Sequence, residues 1–310
     1  AEAIEEVDRI LDYYRVLAED WCAMPVFAGW KTATEKFPGA VHTKSIEALM
    51  RDGLTLQAGT SHYFGQNFSR AYDVSFANRE NVREFCYSTS WGVSTRLVGG
   101  LIMAHGDDFG LILPPKLAPV QVVVIPIYRT DEARREVADF ISGWEPEVRA
   151  AGIRLKVDWS DERPGAKYNQ WELKGVPLRL EVGSREVAAG EVRVVDRLTR
   201  EKRQLGVNAL GEQLSAELSA FQAALYQRAL EFRQANTAVV KSLAELVEHF
   251  RTRAGYVIAP WCGEADCEAK VREATGGVKS SNYDPDRKAE GECLVCGRPG
   301  RYQINFARSY

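Results

Sequence analysis

The feature that most constrains the fold is a set of four cysteines near the end of the chain. Cys262 and Cys267 are separated by four residues, Cys293 and Cys296 by two, and twenty-five residues lie between the pairs. Two closely spaced thiolate pairs on turns can converge tetrahedrally on one Zn²⁺, because a short spacer lets both sulfurs of a pair face the same point. The pattern predicts a structural Zn²⁺ site, since four thiolates leave no coordination position open.

Unrelated structural cysteines and disulfides are the alternatives to a metal site. The chain starts at Ala1 and enters a helical pattern at once, without the features of a secretory leader. We therefore expect a cytoplasmic protein, in which thiols stay reduced and disulfides are disfavoured. Cys22 and Cys86 lie far from the quartet and are expected to be ordinary buried small hydrophobes.

Length and composition indicate a globular protein of more than one domain. A chain of 310 residues exceeds the size at which a single core stops growing, and 45% hydrophobic with 27% charged residues is typical of water-soluble proteins. The longest apolar run, Val122–Ile127, is far too short to cross a bilayer. The net charge of −3 provides no global positive field, so any contact with nucleic acid must be local.

Hydrophobic periodicity divides the chain into residues 1–118, 119–205 and 206–310. In the second region it predicts a compact α/β domain with a mixed sheet. The predicted elements there are strands at 121–127, 153–158, 177–182 and 191–195, a helix at 131–152 containing Pro146, and a turn-rich stretch at 183–190.

The flanking regions carry weaker patterns. Residues 1–118 begin with an amphipathic helix and mix short strands with Gly-rich turns. The third region predicts helices from Gly211 and at about 238–254, then the cysteine-bearing tail and an alternating strand at 302–306.

Two stretches, residues 57–68 and 90–108, place glycine, hydroxyl, imidazole and guanidinium groups near aromatic rings. This mixture is typical of a pocket that orients a small polar ligand. Taken singly the residues say little: a lone His62 is more often an ordinary surface or satisfied histidine, and a lone Arg96 is more often exposed or ion-paired.

Together with several further segments, these stretches resemble the prolyl-tRNA synthetases of the archaeal- and eukaryote-like type. The resemblance covers nearly the whole chain and includes the cysteine quartet and the terminal tyrosine. The segments that carry it are residues 25–29, 35–40, 43–50, 57–68, 90–96, 99–108, 110–119, 164–168 and 171–179.

The resemblance implies an α+β and α/β multidomain fold. Residues 1–118 would be the C-terminal part of a class II catalytic domain built on an antiparallel sheet. Residues 119–205 would be an α/β anticodon-binding domain, and residues 206–310 a helical connection with a zinc-binding α/β C-terminal domain.

The implied activity is ATP-dependent activation of L-proline to prolyl-adenylate and transfer to the 3′ end of tRNA(Pro), with ATP bound as its Mg²⁺ complex and the enzyme a homodimer. The resemblance assigns Phe37, Thr60, His62 and Trp91 to proline, Gln57, Thr60 and Arg96 to ATP, and Glu172, Arg179 and Lys174 to the anticodon. The terminal carboxylate of Tyr310 would turn toward the active site, with a frayed terminus as the alternative.

The resemblance is incomplete, because nothing in the chain matches the first two class II motifs. Parts of the catalytic site and of the dimer interface are therefore expected to be missing, and this polypeptide alone is expected to be inactive. A non-catalytic module that binds tRNA or a partner is the alternative function, and a zinc-ribbon transcription protein explains only the cysteines. Five cations could contact RNA phosphates or form a solvated turn, namely Arg193, Arg197, Arg200, Lys202 and Arg203.

Overall fold

A computed structural model describes residues 1–310 and contains nine α-helices. None of them combines the length and apolar character needed to span a lipid bilayer. The helices are α1 (Glu2–Val16), α2 (Asn67–Ala71), α3 (Arg96–His105), α4 (Asp131–Ala150), α5 (Pro164–Leu173), α6 (Ser184–Ala189), α7 (Leu210–Ala235), α8 (Leu243–Thr252) and α9 (Ala265–Thr275), with a π-helical turn at Leu17–Trp21.

Fifteen strands form three sheets. The strands are β1 (Val26–Trp30), β2 (His42–Leu49), β3 (Thr55–Gly65), β4 (Ser75–Ala77), β5 (Arg83–Phe85), β6 (Ser88–Val93), β7 (Val122–Ile127), β8 (Leu155–Val157), β9 (Leu178–Gly183), β10 (Glu191–Asp196), β11 (Lys202–Gly206), β12 (Thr237–Val239), β13 (Tyr256–Trp261), β14 (Lys279–Lys288) and β15 (Tyr302–Ala307).

The chain forms two compact units. The first contains Ala1–Asp20, Met24–Ala104 and Ala229–Tyr310, and the second contains Trp21–Ala23 and His105–Arg228. The contacts thus join the last third of the chain to the first, and they place residues 105–118 with the following α/β region. This grouping differs from the linear division at 118 and 205, because strands far apart in sequence pair with one another.

An eight-stranded sheet organises the first unit, in the order β12-β13-β15-β14-β1-β2-β3-β6. Its strand pairs are antiparallel except for β12 with β13. The antiparallel sheet expected for residues 1–118 is therefore present, and the C-terminal strands extend it.

The joint between β1 and β14 depends on close backbone approach and buried polar contacts. A Cβ at Gly29 would lie 2.6 Å from the carbonyl oxygen of Tyr283, so only glycine fits there. Beside it, the buried Lys31 ammonium lies 2.5 Å from Glu47 Oε1 and donates to the Ser281 carbonyl at 2.7 Å. These contacts fix β14 against β1 and β2, because a buried charge left unpaired would be costly.

The second unit has a five-stranded sheet in the order β11-β10-β9-β7-β8. β7 pairs in parallel with β8 and β9, whereas β10 runs antiparallel to β9 and β11. Its core combines one face of this sheet with apolar residues of α4 and α7, including Trp144 and Phe221. The predicted mixed α/β domain is confirmed, and α4 continues through Pro146 to Ala150.

Two local predictions were wrong. The stretch 183–190, predicted as turns, contains α6, whose backbone is capped by the Glu186 carboxylate accepting from Gly183 N–H at 3.0 Å. The helix predicted at 238–254 begins only at Leu243, because Thr237–Val239 pairs in parallel with β13. The helix α5 was not predicted.

Candidate functional site

The polar residues predicted to bind small ligands cluster on β3. A regular strand would place Gln57 and Thr60 on opposite faces. The register against β2 shifts between Gln57 and Gly59, so one extra residue is inserted and both side chains lie on the face that carries His62. The hydroxyl of Ser61 donates to Val7 O on α1 at 3.0 Å, which shows that α1 covers the other face.

His62 has a defined polar and aromatic environment. Its Nδ1 lies 2.9 Å from Thr43 Oγ1, and that oxygen accepts the backbone N–H of Phe37 at 3.2 Å. The ring centroid lies 5.2 Å from that of Phe37 and 5.9 Å from that of Phe64. Burial lowers the pKa of His62, because desolvation disfavours the imidazolium. The ring is therefore neutral at pH 7 and offers one donor and one acceptor.

Trp91 lies on β6, the edge strand next to β3, and Arg96 begins the helix that follows, α3. Arg96 is exposed at the start of α3, and its guanidinium forms no ion pair. Trp91 pairs with Ser61 across the strands, so its side chain lies on the face covered by α1. The structure therefore brings Phe37, Thr60 and His62 together, whereas Trp91 lies on the other face of the sheet, and its assignment to proline stays a prediction.

The residues predicted to read the anticodon meet in the second unit. Arg179 Nη1 donates to Glu172 Oε1 at 2.9 Å, and its Nη2 donates to Glu181 Oε1 at 3.1 Å. The guanidinium lies 4.1 Å from the Tyr168 ring centroid. Lys174 lies apart from this pair, with its ammonium 4.4 Å from the centroid of the Trp171 ring.

Sequence reasoning missed two partners of these side chains. Glu181 lies two residues after Arg179 on β9 and therefore on the same face, a spacing that would have identified it. Arg197, nearly buried, donates to both carboxylate oxygens of Asp107 at 2.9 and 2.6 Å and to the Glu172 carbonyl at 3.3 Å. That bidentate pair lowers the pKa of Asp107 to about 2. Nothing local in the sequence indicated this contact, which spans ninety residues.

Most of the cations suggested for phosphate contact are already engaged within the chain. Arg193 pairs with Glu186 at 3.0 Å, Arg203 pairs with Glu217, and Arg200 lies over the ring of Phe109. Together with buried Arg197, these contacts leave Lys202 as the cation of this run with no such contact.

The four distant cysteines converge as the spacing predicts. Cys262 follows β13, Cys267 lies in the first turn of α9, and Cys293 and Cys296 occupy the connection between β14 and β15. Their four Sγ atoms lie within 4.8 Å of one another. Cys262 Sγ is 3.7 Å from Cys267 Sγ and from Cys296 Sγ. Tetrahedral Zn²⁺ with bonds of about 2.3 Å requires sulfur separations of about 3.8 Å, so the donors fit such an ion.

The thiols differ in their electrostatic surroundings. Burial raises the pKa of Cys262 and Cys267, because thiolates lose hydration there. The Arg298 guanidinium, 3.4 Å from Cys296 Sγ, lowers the pKa of that thiol to about 6. A bound divalent cation would supply the positive charge that the two buried thiolates lack.

The C-terminus is held at the start of β3 rather than frayed. Thr55 donates its N–H to Arg308 O at 2.8 Å, and Tyr310 N–H reaches Thr55 O at 3.3 Å. The Tyr310 hydroxyl donates to the Asp52 carboxylate, a contact that raises the pKa of Tyr310 to about 12. The terminal residue thus lies two positions along β3 from Gln57.

Two family models match the chain. The model described as anticodon binding domain matches residues 121–217, and the model described as prolyl-tRNA synthetase, C-terminal, matches residues 243–310. The first match begins at the start of the second unit's sheet, and the second includes all four clustered cysteines.

Curated relatives match the whole chain. It is 44% identical to the proline–tRNA ligase of Symbiobacterium thermophilum and 42% identical to that of Porphyromonas gingivalis, covering 100% of this chain and 64% and 63% of those proteins. The chain thus spans less than two thirds of the length of these relatives.

A solved structure matches over the same extent. It is described as the crystal structure of prolyl-tRNA synthetase from Cryptosporidium parvum complexed with L-proline and AMP. The TM-score is 0.88 at 38% identity, covering 100% of this chain and 67% of that one.

Proposed function

The chain belongs to the prolyl-tRNA synthetase family, and we propose that the intact protein is a proline–tRNA ligase to which these residues contribute. The proposed reaction activates L-proline with ATP, as its Mg²⁺ complex, to prolyl-adenylate and then transfers the prolyl group to the 3′ end of tRNA(Pro). The alternative is a non-catalytic module that binds tRNA or a partner. A homodimeric assembly and a cytoplasmic location remain predictions.

The shared face of β3 is the observation that carries the proposal. Gln57, Thr60 and His62 lie on one side of a strand, and the Phe37 ring lies beside the imidazole of His62, tilted by 50°. An aromatic wall and a few polar groups suit the pyrrolidine ring of proline, which offers mostly apolar area. Gln57 and Thr60 make no side-chain hydrogen bond within the chain, so both are available to a ligand.

Activation requires in-line attack of the proline carboxylate on the α-phosphate of ATP, so the protein contributes by positioning the reactants and stabilising charge. Thr43 favours the His62 tautomer with its proton on Nε2, because the Thr43 hydroxyl accepts from Phe37 and can donate to Nδ1. Nε2–H can then donate to a ligand. The planar cation of Arg96 can stack on adenine and neutralise phosphate charge.

Anticodon recognition is assigned to Glu172 and Arg179, and also to Lys174, which lies apart from that pair over the ring of Trp171. A carboxylate can accept from the amino and imino groups of an unstacked guanine, and an arginine can donate to its acceptors. The internal pair holds both side chains in place before RNA binds, which reduces the entropy lost on binding.

The four cysteines would hold Zn²⁺, which supplies structural crosslinking at that position and no reacting atom. Tyr310, held at the start of β3, would place the terminal carboxylate near the nucleotide-binding residues.

The first test is proline-dependent ATP–pyrophosphate exchange by the intact protein. Replacing Arg96 with alanine should lower kcat/KM for ATP by about 100-fold, since removing one stabilising donor typically costs that much. Arg79→Ala, which changes an exposed arginine in the turn between β4 and β5, is the matched control and should leave the exchange unchanged. An intact protein that binds tRNA and metal but shows no exchange would favour the non-catalytic module.

A further inference from the structure

Helix α9 contains a buried carboxylate for which neither the metal site nor the ligand-binding residues account. Glu268 directly follows Cys267 and is only 7% exposed. Its Oε2 accepts from the Thr34 hydroxyl at 2.9 Å, and its Oε1 accepts from the Ser280 hydroxyl. Burying a carboxylate against neutral donors is expensive compared with burying an apolar side chain. A residue of this kind is better suited to fixing a position than to adding stability.

Thr34, which donates to Glu268, belongs to the loop of residues 31–41. This loop joins β1 to β2 and carries Phe37. Thr32 is also buried, and its Oγ1 lies 3.1 Å from Thr34 Oγ1 and 3.3 Å from Ser280 Oγ. The N–H groups of Glu35 and Lys36 donate to Thr32 O at 3.2 and 2.9 Å. The loop is therefore a compact turn, and moving Thr34 would move the residues leading into Phe37.

A second contact comes from one turn further along α9. Arg272 pairs with Glu35 at 2.5 Å. Residues 268 and 272 are four apart and so lie on the same face of the helix. Between this face and the loop lies a cavity of about 80 Å³. Apolar packing therefore does not fill the interface, and the hydrogen bonds and the ion pair set the distance between loop and helix.

We propose that Glu268 is a positioning residue for proline binding: through Thr34 it holds the 31–41 loop so that Phe37 stays against His62. This inference rests on the proposed function, because Phe37 and His62 are there assigned to proline. It also gives the cysteine cluster a role in the reaction, since Cys267 fixes the first turn of the helix that presents Glu268.

The decisive variant is Thr34→Val in the intact protein, because it removes the hydroxyl without touching α9 or the cysteines. It should raise KM for proline about tenfold, the value of one hydrogen bond to a charged acceptor. KM for ATP should stay within about twofold. Thr34→Ser restores the hydroxyl and should restore the wild-type KM for proline. Thr252→Val makes the same change at the end of α8, away from the loop, and should behave as wild type.

Amide hydrogen exchange of residues 31–41 provides a readout that does not depend on catalysis. Exchange in this segment should be about tenfold faster in Thr34→Val than in wild type, Thr34→Ser or Thr252→Val. Removing zinc from the wild-type protein with a chelator should also accelerate it. Removing zinc from Thr34→Val should accelerate amide exchange little beyond either change alone, because both release the contact between Glu268 and the 31–41 loop.

The proposal is overturned if Thr34→Val leaves KM for proline within about twofold of wild type, if it raises both KM values equally, or if Thr34→Ser fails to rescue it. Unchanged exchange in residues 31–41 would overturn it as well, whatever the activity. If the intact wild-type protein shows no proline-dependent ATP–pyrophosphate exchange, the proposed function is refuted instead. The amide hydrogen exchange of residues 31–41 would still decide whether Glu268 holds the loop through Thr34.

Discussion

Burial rather than a neighbouring charge sets the protonation state of His62. Burial is also the largest cause of the lowered pKa of His42 and of His249. The nearby Lys44 lowers the pKa of His42 further, and Arg253 lowers that of His249 further. In the unfolded chain these imidazoles titrate near 6.5. Three of the four histidines are therefore expected to be neutral in the folded protein at pH 7.

These shifts predict that acid destabilises the protein. Because the folded pKa values lie below 6.5, the unfolded state binds more protons between the folded and unfolded values. The free energy of unfolding should be constant above about pH 7 and fall as pH drops below about 6.5. Urea denaturation at pH 5.5 and 7.5 measures this difference.

His249→Phe provides the matched variant for this prediction, because it removes one titrating group whose Nε2 is buried without a partner. The difference between the two pH values should be smaller in this variant than in wild type. An equal or larger difference would show that other groups dominate the acid response.

At the scale of elements, the Asp107–Arg197 pair ties the 105–113 segment to the anticodon-binding region. Leu111 N–H donates to Leu173 O, and Leu113 N–H to Gly175 O, both at 3.1 Å. The segment therefore runs along the end of α5, which carries Glu172. Arg197 contacts both partners, because its guanidinium reaches the Asp107 carboxylate and the Glu172 carbonyl.

Replacing Asp107 with asparagine should therefore destabilise this element. Arg197 is nearly buried and would lose its countercharge, while partial exposure of Asp107 screens the pair, so we expect a loss of about 2 kcal/mol. The double variant Asp107→Asn with Arg197→Met should cost less than Asp107→Asn alone, since it leaves no unpaired buried cation. Urea denaturation tests both, and a double variant less stable than the single one would contradict the argument.

The ion pair should also persist in mild acid. Because the folded pKa of Asp107 is about 2, its contribution is fully present above its unfolded value near 3.9 and is lost as pH falls through about 2. As the solution is acidified, the fall in the free energy of unfolding caused by the histidines should therefore begin before the Asp107–Arg197 pair is lost.

At the scale of the whole molecule, the cysteine cluster joins two connections at the C-terminal end of the large sheet. Cys262 and Cys267 connect β13 to α9, and Cys293 and Cys296 connect β14 to β15. Cys262, Cys267 and Cys293 belong to a buried apolar cluster that includes Trp261, Val271 and Phe306, whereas Cys296 is exposed. Losing the metal would release thiolates inside this cluster, where burial disfavours charge.

Cys262→Ser should therefore lose the bound metal and lower Tm by several degrees, because structural zinc contributes directly to folding. Metal analysis of the purified intact protein should give about one zinc per chain in wild type and little in the variant. Cys86→Ser, outside the cluster, is the control and should retain zinc. A Cys262→Ser protein with a full equivalent of metal and unchanged Tm would refute a four-cysteine site.

The sequence by itself determined the features that depend on local spacing. The two cysteine pairs converge because a short spacer keeps both sulfurs of each pair close together. The apolar run 121–127 and the amphipathic helix after it predicted β7 and α4 within one or two residues. The resemblance to prolyl-tRNA synthetases was confirmed because ordered short motifs extend over the whole chain. Hydrophobic periodicity did not reveal α6, because its six residues are too few to show a repeating apolar face.

Only the tertiary structure decided which distant elements share a sheet and which faces meet. The pairing of Trp91 with Ser61 turned the tryptophan away from His62, and the β3 irregularity brought Gln57 to the face of Thr60. Thr34 meets Glu268 across a separation of 234 residues. Local periodicity cannot encode such contacts, because strand register and sheet order depend on the packing of the complete chain.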